Sequence, residues 1–307
     1  MRSARRKQLR LKTAKKRNIF RWPYLLAPLV VSSFLLWFFV LSSHFWNGND
    51  KLALTVRRGN GDASVVVFDP ILSEVTTLTV PGDTEVAVAR NLGTIRIKNV
   101  WQLGVNEGIS GKLTAETLTN NFGFASFLWA DTAGESLIGS NFFSSLKFIF
   151  IPGKTNLSLR DRLGIVVFSS RIGNSGRSEI DLGKSLFLQK TKLSDGEAGL
   201  AISEKFPERL TIYFADYLLT EKNVRVFIND GTGEYGTAEE FGKIVEIMGS
   251  KVVAINKKEM SDEDCVVTGG VKEYARKVAR VFSCKEKLGG ENEVLTIELG
   301  SKFAKRF

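Results

Sequence analysis

Histidine is almost missing from this sequence: His44 is the only one among 307 residues. It stands near the end of an uncharged apolar run, a position typical of a residue at a membrane edge rather than of a ligand. The rest of the chain lacks the side chain on which most general-base catalysis and most zinc sites depend. Histidine-based catalysis and histidine metal sites are therefore excluded from the part after this residue.

Acidic residues are absent from residues 1–21, which hold ten of the 43 Lys and Arg residues. The other 33 basic residues balance the 33 acidic ones, so this arm accounts for the net charge of +10. An arm that binds nucleic acid is one explanation. However, the balanced remainder has no concentrated basic charge and no motif that reads DNA. We predict no nucleic-acid partner.

Charge of either sign is absent from residues 22–46, WPYLLAPLVVSSFLLWFFVLSSHFW. A helix of this length would rise about 37 Å, enough to cross a hydrocarbon core of about 30 Å. A cleaved signal peptide would have a shorter apolar run followed by small residues. The basic flank places the N-terminus in the cytoplasm. We therefore predict a signal-anchor in the cell membrane: a basic cytoplasmic arm (1–21), a single transmembrane helix (22–46) in contact with membrane lipid, and an extracytoplasmic bulk.

The remaining chain has the alternation of an α/β (α+β) protein in two regions. In residues 51–198, strand-like runs such as SVVVFDP and VTTLTV lead into a helical pattern, whereas RIGNSGRSEIDLGKS is typical of an exposed loop. In residues 209–300, four apolar runs and two amphipathic helices follow one another in the order βαββαβ.

Cysteine is scarce as well, since Cys265 and Cys284 are the only two. Cys265 begins a predicted strand and Cys284 ends the following helix, which returns antiparallel to that strand. An extracytoplasmic compartment permits oxidation. We predict a disulfide between them, the alternative being two partly buried thiols. Neither their number nor their spacing suggests zinc.

Two stretches resemble a known family. Residues 51–130 look like the first half of the LytR-CpsA-Psr (LCP) family of envelope proteins, and residues 222–300 look like the LytR C-terminal domain of that family. The second resemblance is carried by VRVFINDGTGEYGTAEEFGKIVEIMGSKVVAI, a strand, a Gly-Thr-Gly turn, a helix and a second strand. It implies an LCP-like α/β region over residues 51–198, followed by a C-terminal domain over residues 209–300.

The resemblance also implies a site. Active members of the family move a glycopolymer from a polyprenyl-diphosphate lipid to peptidoglycan, with a divalent metal and arginines on the diphosphate. The family's first metal-binding aspartate corresponds to Asp62. Its Pro-Arg-Asp motif corresponds to Pro81, Gly82 and Asp83, at the end of VTTLTVPGDTEV. The metal ligands implied are therefore Asp62 and Asp83.

Candidates for the basic groups on the diphosphate follow from the same resemblance. The family's next basic residue corresponds to Arg96, and LSLRDRL, with Arg160 and Arg162, is the candidate for its later arginine-rich stretch. The motif arginine itself is replaced by Gly82, which has no side chain to hold a phosphate. Two carboxylates without opposing arginines would repel a diphosphate unless a metal compensated them. The sequence therefore predicts a degenerate, LCP-like region, a pseudoenzyme in which Asp83 caps a turn.

The predicted function is that of a noncatalytic cell-envelope protein without a cofactor. It binds or organises peptidoglycan or another envelope glycopolymer at the outer face of the membrane. The polymer-binding candidates, implied by the resemblance, are Asn229, Gly231, Thr232 and Gly233, in a segment that is otherwise an ordinary strand-to-helix turn. The alternative is a Mg²⁺-dependent phosphotransferase that moves glycopolymer from polyprenyl diphosphate lipid to peptidoglycan.

Overall fold

The computed structural model describes residue 28 and residues 30–34, 45–151, 153–203 and 208–307. The predicted arm (1–21) lies outside these residues, as does most of the predicted span (22–46). In the part that is described, no helix is long and apolar enough to cross a membrane.

The strands are β1 (Leu52–Arg57), β2 (Ala63–Asp69), β3 (Glu74–Val80), β4 (Glu85–Ala87), β5 (Thr94–Arg96), β6 (Leu128–Ala130), β7 (Arg177–Asp181), β8 (Leu188–Lys192), β9 (Ala198–Ile202), β10 (Arg225–Gly231), β11 (Lys251–Lys257), β12 (Cys265–Gly269), β13 (Lys285–Leu288) and β14 (Val294–Gly300).

The helices after residue 45 belong to two groups that flank the two main sheets, so the fold is mixed α/β of the α+β kind. They are α1 (Ile97–Asn106), α2 (Gly111–Phe122), α3 (Phe142–Phe150), α4 (Leu159–Arg171), α5 (Glu208–Thr211), α6 (Tyr217–Glu221), α7 (Thr237–Ile247), α8 (Lys272–Val281) and α9 (Ser301–Arg306). We term residues 45–203 the N-lobe and residues 208–307 the C-lobe.

The N-lobe is built on a five-stranded sheet of order β6-β1-β2-β3-β7. β1, β2 and β3 form an antiparallel meander, and β6 and β7 pair in parallel at its two edges. Ala63 at the start of β2 lies opposite Val80 at the end of β3. Residues just before β2 and just after β3 therefore share one end of the sheet, which brings Asp62 to the turn at residues 81–83.

Each face of this sheet has its own core. On one face, Val65 packs with Leu113 of α2. On the other, Phe68 packs with Ile165 of α4. Trp46, at the start of the described N-lobe, belongs to this second core, where its ring lies 5.5 Å from that of Phe168 and 6.4 Å from that of Phe68. The chain therefore enters the N-lobe on the side covered by α3 and α4.

The segment RIGNSGRSEIDLGKS is not a loop throughout, as the sequence predicts, because it contains β7. This strand pairs in parallel with β3 and places Ile180 opposite Leu78. Four of its five residues are polar, and none of the five is fully buried. The prediction was wrong because an edge strand that is exposed in this way lacks the apolar alternation by which strands are recognised.

The C-lobe sheet has the order β11-β10-β14-β12-β13. Ile228, Val267 and Ile297 share a core with Phe241 of α7 and Val278 of α8, so both helices pack on one face. The structure has one strand more than the predicted βαββαβ order. This strand, β13, lies between α8 and β14 and pairs in parallel with β12. Its sequence KEKL is exposed at all four positions, which leaves no hydrophobic pattern to detect.

Cys265 and Cys284 form a disulfide, with their Cα atoms 4.9 Å apart. Cys265 opens β12, and Cys284 follows the end of α8 and precedes β13. The bond therefore ties the start of the β12–α8–β13 unit to the end of its helix.

Ion pairs and hydrogen bonds connect the lobes. The ammonium of Lys277, on α8, lies 3.3 Å from a carboxylate oxygen of Asp50 and also contacts Asp216. The side-chain amide of Asn120 donates to the backbone carbonyl of Phe307. The contact of Lys277 with Asp50 holds the C-lobe against the first residues of the N-lobe, and the contact of Asn120 with Phe307 holds it against α2.

Candidate functional site

The turn after β3 is held by Asp62. The backbone N–H of Thr84 donates to the carbonyl of Pro81 at 3.0 Å, which closes the turn. The N–H of Gly82 donates to Oδ1 of Asp62 at 2.8 Å, and the side chain of Asn60 donates to its other oxygen at 2.7 Å. Asp62 thus links the loop before β2 to the turn after β3.

The carboxylate of Asp83 is bound by two cationic side chains. Its Oδ1 accepts hydrogen bonds from Nζ of Lys98 at 2.6 Å and from Nη1 of Arg96 at 3.1 Å. Arg96 ends β5, and Lys98 lies in the first turn of α1, where its backbone N–H donates to the carbonyl of Gly82. The hydrogen bonds from Lys98 and then Arg96 hold the pKa of Asp83 below its ordinary value of 3.8. Asp83 is therefore a carboxylate at neutral pH.

Arg96 is buried between carboxylates, with 9% of its side chain exposed. It makes two parallel hydrogen bonds to Asp195, of 2.8 and 3.1 Å, and a third to Glu197 at 3.2 Å. The hydrogen bonds to Asp195 and then Asp83 raise the pKa of Arg96, and Arg96 in turn lowers the pKa of Asp195. We term Asp83, Arg96, Lys98, Asp195 and Glu197 the Arg96 cluster.

Two of these carboxylates come from a hairpin that lies over the turn. Asp195 and Glu197 stand between β8 and β9, and the N–H of Leu200 in β9 donates to the carbonyl of Asp83 at 3.1 Å. Gly199 permits this approach, because a Cβ atom there would lie 2.8 Å from that same carbonyl oxygen. The hairpin also spans residue 198, where the sequence predicts the first region to end.

Sequence reasoning missed Lys98, Asp195 and Glu197. The SDGE stretch around Asp195 is an ordinary turn sequence. Its approach to Asp83 depends on how a distant hairpin packs, so no local pattern reports it. Lys98 could have been found, because it stands two residues after Arg96 at the start of a helix.

The charge of the Arg96 cluster does not favour an anion. Its three carboxylates outnumber its two cations, and each cation already lies against a carboxylate. A diphosphate would have to displace Asp195 and Glu197 from Arg96. The Arg96 cluster is an intramolecular network of ion pairs that connects the turn after β3, the start of α1 and the β8–β9 hairpin.

The residues present do not fit a divalent metal. Asp62 accepts hydrogen bonds from an amide and a side chain, and Asp83 is bound by two cations. A metal ion would have to compete with Arg96 and Lys98 for Asp83. Over the described ranges, no group of three His, Cys, Asp or Glu side chains is placed to hold a metal ion.

At Gly82, where the family motif has an arginine, the structure leaves no space for a side chain. A Cβ atom at this position would lie 2.7 Å from the carbonyl oxygen of Gly61 and 3.2 Å from Cβ of Lys98. The two turns touch at this point, backbone against backbone. Any side chain here, including an arginine, requires the turns to separate.

Arg160 and Arg162 lie elsewhere, in the first turn of α4. Between them, Asp161 accepts a hydrogen bond from the backbone N–H of Trp46 at 3.1 Å. Trp46 packs on Phe68, near the end of β2 that is farthest from the candidate turn. A β2 strand of seven residues spans about 20 Å. The structure therefore does not bring these arginines to Asp83.

The candidate polymer-binding residues take two positions. Asn229 and Gly231 line an open depression of about 550 Å³ beside the C-lobe sheet. Thr232 is buried, and its hydroxyl donates to Asp230 at 2.6 Å. Gly233 has a φ of 76°, in the left-handed region that glycine favours. Thr232 and Gly233 thus shape the turn before α7.

Comparison with known proteins found similarity to solved structures alone. No family model matches the sequence, and no curated protein matches it. Among solved structures, TagT of B. subtilis is similar, with 12% identity over 52% of this chain and 88% of that chain and a TM-score of 0.36. The LytR-CPS2A-Psr family protein YwtF (TagT) with bound octaprenyl pyrophosphate lipid (13% identity, 52% and 87% covered, TM-score 0.36) and TagV of B. subtilis (11%, 52% and 92%, 0.35) are similar as well. The likeness gives no substrate or activity for this chain.

Proposed function

We propose that this chain is a noncatalytic protein of the cell envelope, anchored in the membrane by residues 22–46, that binds or organises wall glycopolymer at the outer face. The proposal that the protein is noncatalytic rests on Arg96, whose guanidinium is already paired with carboxylates of this chain. This guanidinium, which by resemblance would meet a diphosphate, is held by Asp83, Asp195 and Glu197. The class of polymer is taken from the resemblance of the sequence to the LCP family.

Exposed apolar side chains support a position at a membrane surface. On α3, Phe143 is 78% exposed and Phe150 is 76% exposed, with the basic Lys147 between them on the same face. Apolar and basic groups on one face suit the boundary between headgroups and acyl chains. α3 and α4 cover the side on which Trp46, the last residue of the predicted span, packs into the N-lobe.

The test uses the full chain in nonionic detergent. Sedimentation with purified peptidoglycan measures polymer binding, and titration with octaprenyl diphosphate and Mg²⁺ measures the competing activity. Asp83→Ala is compared with Asp262→Ala, which removes an exposed C-lobe carboxylate that pairs with Lys302. We expect peptidoglycan to sediment wild type and both variants equally, with no Mg²⁺-dependent binding of the diphosphate.

Other results would overturn the proposal. Mg²⁺-dependent binding of octaprenyl diphosphate that Asp83→Ala abolishes and Asp262→Ala preserves would establish the phosphotransferase alternative. An absence of sedimentation with peptidoglycan would refute the binding role. Recovery of the full chain in the soluble fraction after cell lysis without detergent would refute the anchor.

A further inference from the structure

Arg280 is a partly buried cation without a carboxylate partner in the described part of the chain. It lies on α8, where the C-lobe faces the first residues of the N-lobe. Its Nη1 donates to the backbone carbonyl of Phe45 at 3.1 Å, and its guanidinium carbon lies 5.3 Å from the centre of the Phe45 ring. No acidic side chain of the described residues comes within 4.0 Å of it, and burial lowers the pKa of Arg280.

The other basic groups around this gap are compensated. Lys277 contacts two carboxylates, those of Asp50 and Asp216. One turn before Arg280, Arg276 lies 3.4 Å from Glu286. Arg280 differs from these neighbours because no carboxylate of the described residues lies within ion-pair distance of it. Glu286 and Asp161 act on it from farther away and raise its pKa, whereas burial, the larger effect, lowers it.

Two cavities meet at this guanidinium. One, of about 280 Å³, lies between the lobes, and the other, of about 460 Å³, lies beside it toward the disulfide. Both are lined by Arg280, Val281, Phe45 and Phe127. The rings of Phe45 and Phe127 are 5.5 Å apart and nearly perpendicular. The rest of the lining is mixed, with charged residues such as Asp50, Glu273 and Lys277 in the first cavity and Lys112, Glu116 and Glu286 in the second. At Arg280 itself, the aromatic rings form an apolar wall beside a fixed cation, an arrangement found in small-ligand sites.

We propose that the gap between the lobes at Arg280 binds an anionic group, a phosphate or a carboxylate, whose attached ring or chain packs on Phe45 and Phe127. A guanidinium has five N–H donors, and among the described residues one hydrogen bond is made, to Phe45. A partly desolvated charge gains from a close partner, and a phosphate or carboxylate fits the planar fork with two hydrogen bonds. This site is separate from the Arg96 cluster, whose cations are already paired.

The anionic group has two possible sources. Phe45 is the last residue but one of the predicted span (22–46), so an anionic lipid headgroup would reach the gap from the membrane. An acidic or phosphorylated sugar unit of a wall polymer has the same chemistry. Both sources rest on the proposed function, the lipid source on its membrane anchor and the polymer source on its binding role, whereas the anion site itself does not.

The experiment measures anion binding by the full chain. Glucose 1-phosphate and glucuronic acid are titrated calorimetrically against the protein in nonionic detergent. Retention of phosphatidylglycerol over phosphatidylcholine is measured by native mass spectrometry of protein released from nanodiscs. Arg280→Gln is compared with Arg225→Gln, which removes an exposed C-lobe cation that pairs with Glu291 and lines neither cavity.

We expect at least one probe to bind to the wild type and Arg280→Gln to weaken it at least about tenfold, because a desolvated charge pair is lost. Arg225→Gln should stay within about twofold, the small effect usual for an exposed charge pair. Binding of a soluble probe assigns the site to a sugar unit, and retention of phosphatidylglycerol alone assigns it to a lipid headgroup.

Two results would overturn the proposal: no probe bound by the wild type, or equal binding by wild type and Arg280→Gln. Arg280→Lys distinguishes a loss of binding from a loss of folding, because it keeps the positive charge but lacks the planar guanidinium group. It should bind the probe with intermediate affinity while melting at the temperature of the wild type. If Arg280→Lys binds no better than Arg280→Gln and melts lower than the wild type, the loss is structural and the anion site is refuted. Failure of the membrane anchor or of peptidoglycan binding leaves the titration with soluble probes unaffected, so the two proposals fail separately.

Discussion

Arg96 shows what a residue type in a sequence does and does not reveal. The resemblance aligns it with a basic residue of the implied diphosphate site, and the structure places its Nη1 3.1 Å from Oδ1 of Asp83. Its other partners, Asp195 and Glu197, are about 100 residues away in the chain. The resemblance therefore indicated a basic residue at position 96. It did not indicate that Asp195 and Glu197 pair with this residue, because their approach depends on where the distant β8–β9 hairpin packs.

The first prediction concerns pH. The pKa values of Asp83 and Asp195 lie below 3.8 in the folded protein, because both carboxylates accept hydrogen bonds from cations. The unfolded chain binds protons more readily near this pH, so the stabilisation is complete well above pH 3.8 and is lost as the pH falls below it. Urea midpoints measured from pH 6 to pH 3 should fall more steeply for the wild type than for Arg96→Gln.

A matched control for this prediction is Arg58→Gln, which removes another arginine–carboxylate pair, with the exposed Glu179. Its midpoint should follow the slope of the wild type. Parallel curves for wild type and Arg96→Gln would show that the Arg96 cluster does not couple stability to pH.

The second prediction concerns Gly82. Gly82→Ala places a Cβ atom 2.7 Å from the carbonyl oxygen of Gly61, so two backbone turns must separate. We expect a loss of about 1–3 kcal/mol in the free energy of unfolding, the usual cost of overpacking. Gly139→Ala is the control, because a Cβ atom at that position would meet no other atom within 4 Å. Equal urea midpoints for the two variants would contradict the close contact.

At the scale of elements, the sequence predicts what is periodic and misses what is exposed. β2 and β3 were expected because their apolar residues are buried on both faces, and α7 and α8 because each has one apolar face. β7 and β13 were missed because their residues are polar or exposed. Both strands are held by backbone pairing with a neighbour, and the side chains carry no record of that pairing.

The third prediction concerns the disulfide across the β12–α8–β13 unit. Replacing Cys265 and Cys284 together by serine should lower the free energy of unfolding by about 2–4 kcal/mol, because the unfolded chain regains freedom across 19 residues. Urea unfolding with and without dithiothreitol measures this. The reductant should destabilise the wild type and leave the double variant unchanged, and an equal response of both proteins would rule out the bond.

At the scale of the whole molecule, the two sheets were foreseeable but their mutual placement was not. Lys277 of the C-lobe pairs with Asp50 of the N-lobe and with Asp216 of its own lobe, and these residue types are common on any surface. No pattern in the sequence distinguishes these charges from the solvated ones. The gap that contains Arg280 is a consequence of this placement and could not be inferred from either lobe alone.

The last prediction tests that placement. The side chain of Lys277 is 17% exposed, and its removal leaves the carboxylates of Asp50 and Asp216 facing each other without a cation. Lys277→Met should therefore cost about 2–3 kcal/mol of unfolding free energy, below the range of a fully buried pair. It should also increase the radius of gyration in small-angle X-ray scattering and speed proteolysis between the lobes. Lys272→Met, on the same helix but 60% exposed and 4.0 Å from Glu286, should change neither quantity. If both variants scatter alike and resist protease alike, the lobes are held together by contacts other than this ion pair, and the gap at Arg280 does not depend on it.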